Sequence, residues 1–122
     1  MKYKSKYFSK DKMRWCPCGC GMDVEEFVLR KFDLVRDYVG FPIHINSGAR
    51  CDEYNAKIGG VKNSAHTRGT AMDVRFDNEF QKDKILWALG KVGCVRIGVN
   101  YEKKFIHGDF DLKLPSPAFW IY

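Results

Sequence analysis

Six consecutive residues, Ala71-Met72-Asp73-Val74-Arg75-Phe76, place the tightest limit on the fold. Read as a strand, the segment puts Ala71, Asp73 and Arg75 on one face and Met72, Val74 and Phe76 on the other. Such a strand needs a sheet with one covered face and one free face, and it displays Asp73 from rigid backbone. The cover is legible upstream. Between Asp23 and Val39, apolar residues Val24, Phe27, Val28, Phe32, Val35 and Val39 recur at helical spacing, with Asp23 as the expected cap and Glu26 completing a capping box. Gly40 and Pro42 end that helix. A short strand is predicted over 43–46, a short helix over 51–58 stopped by Gly59-Gly60, and a further helix over 81–89 with Ile85, Leu86 and Leu89 inward. Strands over 94–99 and 104–109, joined by Asn100-Tyr101-Glu102-Lys103, complete the order. The pattern is an α+β fold, helices packed on a small, mostly antiparallel sheet.

At 122 residues, with 45% hydrophobic content, the chain fits a single domain over 1–122. No apolar run approaches the roughly 20 residues of a membrane-spanning helix, and disorder is excluded by composition. The excess of 21 Lys+Arg over 15 Asp+Glu, a formal +6, suits an anionic partner. Much of it lies in Lys2, Lys4, Lys6, Lys10, Lys12 and Arg14, so residues 1–21 read as a basic, cysteine-containing arm, solvated and partly mobile. Tyr7, Phe8 and Ser9 stand where a secretion signal would have its apolar core, which leads to the expectation of a protein kept in the cytoplasm.

An odd count of five cysteines argues against a fully paired disulfide framework. Cys16, Cys18 and Cys20 form C-x-C-x-C, tighter than the usual spacing of structural zinc ligands. The expectation is a Gly/Pro turn with small thiols, with Cys51 near enough to pack or bond. Trp15 and Trp87 are assigned to the core, and the aromatic stretch 115–122 is expected to fold over it. His44, between Ile43 and Ile45, reads as solvent-facing or hydrogen-bonded.

The other histidines have more suggestive settings. His66 follows Asn63-Ser64-Ala65 in a polar loop, and His107 lies in a predicted strand. With Asp73 they would make a three-ligand site whose fourth position is left for water, the layout of a catalytic rather than a structural zinc.

The segments Ile45-Asn46-Ser47-Gly48-Ala49-Arg50-Cys51, Gly59 to Asp73, and Phe105-Ile106-His107-Gly108-Asp109 carry S-G-x-R, S-x-H-x-x-G-x-A-x-D and H-x-D in that order. In this the chain closely resembles zinc-dependent D-Ala-D-Ala carboxypeptidases and related phage and bacterial cell-wall peptidases, a superfamily shared with lysostaphin-type peptidases and the hedgehog signalling domain. The resemblance implies one zinc ion held by His66, Asp73 and His107, with Arg50 contacting substrate and the developing oxyanion, and Ser64 holding substrate. Tyr54, with Asn55 and Tyr101, is a candidate for the cleft wall. The resemblance implies a zinc metallopeptidase cutting amide bonds of peptidoglycan stem peptides; with no export signal read, such a protein is expected to reach the wall on lysis, as phage endolysins do, and it is expected to be a monomer that binds no nucleic acid.

One position departs from the pattern. Three residues before the last ligand, where many of these enzymes place an acidic base, stands Lys104. Asp109 shares a strand face with His107 and is the preferred base, with Asp111 and Glu102 as further carboxylates. Asp109 as third ligand, with His107 as acid/base partner, stays open. So do a non-catalytic zinc-binding recognition module, a nucleic-acid-binding zinc protein using the cysteines and the basic leader, and a metal-free scaffold.

Overall fold

The computed structural model describes residues 3–122; Lys2, counted above in the basic leader, lies outside them. Three helices, α1 (Glu26–Val39), α2 (Asp52–Lys57) and α3 (Glu79–Lys91), accompany five strands, β1 (Ile45–Ser47), β2 (Ala71–Arg75), β3 (Arg96–Asn100), β4 (Phe105–Asp109) and β5 (Ala118–Ile121). The strands form one sheet in the order β1-β2-β4-β3-β5. All neighbours run antiparallel except β3 and β5. The α+β architecture is the one the periodicities predict.

Register turns the alternation of β2 into a functional surface. Ser47 pairs with Asp73, Asp73 with His107, His107 with Gly98, and Gly98 with Trp120, so one row crosses all five strands. In the next row of that face Asp109 stands between Ala71 and Arg96. The opposite face carries Met72, Val74 and Ile106, all fully buried with Phe32 and Val35 of α1 and Ile85 and Leu89 of α3. Gly108 lies on this covered face, where an added methyl would come within 3.2 Å of both Phe32 and Leu89. Glycine there lets the helices lie flat on β4. Among the described residues no helix is long and apolar enough to cross a membrane.

Several local expectations give way. α1 begins at Glu26 with no side-chain cap, because Asp23 instead accepts paired hydrogen bonds from Arg14 Nε and Nη2 at 3.0 and 2.9 Å. Its C-terminus is as expected, with Gly40 in the left-handed region at φ 78°. Residues 3–8 of the leader pack against α1, while Lys4, Lys6, Lys10 and Lys12 stay exposed as expected. Buried Asp33 of α1 accepts from Ser5 Oγ at 2.8 Å, from the Lys6 and Tyr7 amides at 2.9 and 3.1 Å, and from the Tyr3 hydroxyl, while Phe8 is fully buried. A buried carboxylate with that many donors is a specific anchor. Trp87 is half-exposed, edge-on to Tyr38 and beneath Lys84 and Lys91, and so lies outside the core. The aromatic stretch becomes the edge strand β5, with Phe119, Ile121 and Tyr122 exposed.

Candidate active site

The three residues expected to hold metal converge although they come from different elements. His66 sits in a single 3-10 turn, Ala65–Arg68, whose first amide turn is capped by Ser64: its Oγ accepts from the His66 amide at 3.2 Å. Gly69 ends the turn at φ 70°, and a Cβ there would press on the Asp23 carbonyl at 2.9 Å. The turn delivers His66 over β2. Its Nδ1 is 2.7 Å from the Gly48 carbonyl oxygen, which places a proton on that nitrogen and turns Nε2 toward Asp73. Buried Nε2 has no hydrogen-bond partner among the described residues and lies 3.2 Å from Asp73 Oδ1. His107 Nδ1 is 2.9 Å from the same oxygen. Zinc bonds of 2.0–2.1 Å in a tetrahedron separate donors by about 3.3 Å. The two separations to Asp73 Oδ1 are close to that value, and each of the three residues brings a ligand atom within 4.8 Å of the other two, as a shared ion requires.

These atoms open into a cleft of about 620 Å³, a size suited to a small ligand or peptide. Arg50, Lys62, Arg96 and Lys103 line it, whereas the only carboxylates lining it among the described residues are Asp73 and Asp109. Arg50 is pinned through its backbone, its amide donating to the His66 carbonyl at 3.0 Å, while its buried Nε has no partner among the described residues. Gly60 makes room beside it, since a Cβ there would fall 3.1 Å from Arg50 Nη1 and 2.1 Å from Asn55 Oδ1. Ser64 lines the cleft as well as capping the histidine turn. Tyr54, the expected wall residue, and Asn55 lie on α2 and Tyr101 in the turn after β3, all three outside the lining.

The peptidase M15 family model matches residues 7–109, most of the chain and every residue of the three-donor cluster. The chain belongs to the peptidase M15 family. Membership in this family of metal-dependent peptidases points to a metallopeptidase. No curated protein matches the chain.

Within this M15 domain the environment of each donor is set by burial and by its neighbours. Burial pushes the Asp73 carboxyl upward, but the adjoining His107 and His66 imidazoles outweigh it and hold the group well below the usual carboxylate range. Burial alone would lower His107; Asp109 and Asp73, one on each ring nitrogen, instead raise it to about 8. Without metal the His107 ring is thus an imidazolium between two carboxylates. Its raised pKa contributes stability that is present below its ordinary 6.5 and is lost as pH rises through about 8. A metal must displace the Nδ1 proton. Apparent zinc affinity is therefore expected to climb about tenfold per pH unit below about 8 and to flatten above it. Titration against a competing chelator across that range checks this; affinity independent of pH would contradict it.

Asp109 is committed on both oxygens. Oδ2 is 2.7 Å from His107 Nε2, and Oδ1 accepts from Arg96 Nε at 2.8 Å and from the Asp111 amide at 3.1 Å. Asp111 is itself held by Arg68 and Thr70, each at 2.7 Å, and neither it nor Glu102 lines the cleft. Arg96 and Trp120 are site residues the sequence reading overlooked. The parity of β3 could have identified Arg96, two residues before Gly98 on the same face. Trp120 required knowing that β5 joins β3: its indole covers Gly98, where a Cβ would clash at 2.2 Å, and packs 5.3 Å from the His107 ring. The family match ends before β5, so Trp120 and Tyr122 add to this cleft from outside the matched region.

Proposed function

We propose that this M15 chain is a zinc-dependent peptidase hydrolysing an amide bond of peptidoglycan stem peptides, as a D-Ala-D-Ala carboxypeptidase or an endolysin-type endopeptidase. The observation that carries the reading is the convergence of His66 Nε2, Asp73 Oδ1 and His107 Nδ1 at the floor of a cleft walled by cations. Zinc at those atoms supplies Lewis-acid polarisation of a carbonyl and a water activated near neutral pH. Arg50, which lines the cleft, donates to the carbonyl oxygen as charge develops on it. Lys62, Arg96 and Lys103 favour a peptide bearing free carboxylates, as stem peptides do. The proposal includes a monomer held in the cytoplasm until lysis, with a phage or prophage source.

Asp109, in this proposal, is a positioning residue rather than the general base its strand parity suggested. It fixes the His107 ring through Nε2 and is itself fixed by Arg96, the carboxylate–histidine arrangement that orients metal ligands. Asp109→Asn is expected to weaken zinc binding by about 10–100-fold, with kcat restored at saturating zinc. A base would instead give a kcat loss of about 10²–10⁴ at unchanged zinc affinity. Zinc titration beside kinetics separates the two.

One observation favours a second reading, a zinc-binding recognition module without turnover: both cleft carboxylates are engaged, and Lys104 occupies the position where the base is expected. The test is release of new amino groups from purified peptidoglycan by zinc-loaded protein, with and without chelator. Release abolished by chelator supports the peptidase. Stoichiometric zinc with no release from several wall types removes it in favour of the module.

A further inference from the structure

The second cluster of metal-binding side chains lies outside the cleft. Cys16, Cys18, Cys20 and Cys51 bring four thiol sulfurs within 4.8 Å of one another. Cys16 Sγ is 3.3 Å from Cys18 Sγ and 3.7 Å from Cys51 Sγ, and Cys18 and Cys51 are 3.6 Å apart. A disulfide needs a separation of about 2.05 Å, and none of these cysteines is bridged. Zinc–thiolate bonds of about 2.3 Å in a tetrahedron place sulfurs about 3.8 Å apart. The observed separations approach that edge length. Backbone amides already face the sulfurs, Cys51 N donating to Cys16 Sγ at 3.3 Å and Tyr54 N to Cys51 Sγ at 3.4 Å, as suits thiolate rather than thiol.

We infer that Cys16, Cys18, Cys20 and Cys51 form a tetrathiolate site for one structural zinc ion, separate from the His/Asp centre. The tight C-x-C-x-C spacing argued against such a site because one intervening residue makes it hard for two thiolates to reach tetrahedral corners of one ion, yet Cys16 and Cys18 already stand 3.3 Å apart. The fourth corner comes from Cys51, and Gly19 and Gly21, at φ 86° and 89°, let the intervening chain fold back beneath the sulfurs. Binding exchanges thiol protons for the ion with no change of oxidation state.

The site has a structural task. Cys51 follows the segment Gly48-Ala49-Arg50, in which the Gly48 carbonyl orients His66, the Ala49 amide donates to the Arg14 carbonyl at 3.0 Å, and Arg50 faces the cleft. A Cβ at Gly48 would sit 2.7 Å from the Arg14 carbonyl oxygen, so the leader and this segment are in direct contact. Zinc between residues 16–20 and Cys51 staples the leader to the stretch that carries Arg50.

Cobalt(II) substitution of the full chain tests this without relying on turnover. Cobalt bound by thiolates gives an intense sulfur-to-metal charge-transfer absorption in the near ultraviolet, which a His/Asp centre lacks. Wild type and His66→Ala are expected to show that absorption, and the double variant Cys18→Ser/Cys20→Ser to lose it. Zinc content is expected to be about two equivalents in wild type and about one in each variant. Absence of the absorption in cobalt-loaded wild type overturns the inference whether or not the cysteine variant folds. So does an intact mass showing that any of the four cysteines has formed a disulfide. The site stands or falls independently of peptidase activity.

Discussion

Replacing His66 by alanine is expected to remove metal from the His/Asp centre and, with it, hydrolysis, by about three powers of ten or more. The magnitude follows because a catalytic metal contributes several kcal/mol to the transition state, and each 1.36 kcal/mol is about tenfold in rate. Asp73 and His107 remain in His66→Ala, but two donors hold an ion far less firmly than three, and the pair collapses into the ion pair already present at 2.9 Å. The substitution also leaves the Gly48 carbonyl without its imidazole donor, a loss of about 1–3 kcal/mol in stability. A thermal melt must therefore accompany the assay. A folded variant that retains full activity would sink the assignment of the cleft as the reaction centre.

Arg50→Ala is expected to lower kcat by about 10²–10³, the range for losing one donor to a developing oxyanion, while metal content and KM change little. The split identifies the role. A residue that merely gripped substrate would raise KM at constant kcat. Arg50→Lys is expected to recover only part of the loss, because an ammonium lacks the planar fork of donors that the guanidinium directs into the cleft. An unchanged kcat in Arg50→Ala, with metal retained, would show that Arg50 lines the cleft without serving the reaction.

The parts of the site that depend on local periodicity were legible in the sequence. Asp73 and His107 could be placed on one sheet face by counting residues in twos, and register sets them directly opposite each other. What stayed hidden depends on partners distant in the chain. Asp23 has every local mark of a helix cap, yet the helix starts three residues later and the carboxylate is held by Arg14 instead. Nothing local to the leader reveals that Asp33, a helix residue, will draw Ser5, Lys6 and Tyr7 inward. Cys51 is 35 residues from Cys16, so the four-thiol cluster cannot be read from the C-x-C-x-C run alone. Asp109 shows the limit of parity: the rule put it on the same face as His107, but which atom it would meet depended on Arg96 from the next strand.

The parallel strand β5 pairs with β3 alone, yet it lays an indole against the ring of a proposed metal ligand on β4. None of the three clustered donors lies on it, and it falls beyond the residues matched to the family. The donor triad and this part of the cleft wall are thus carried on separate stretches of polypeptide, and exchange of one short edge strand would change the wall at Trp120 and Tyr122 while His66, Asp73 and His107 stay in place.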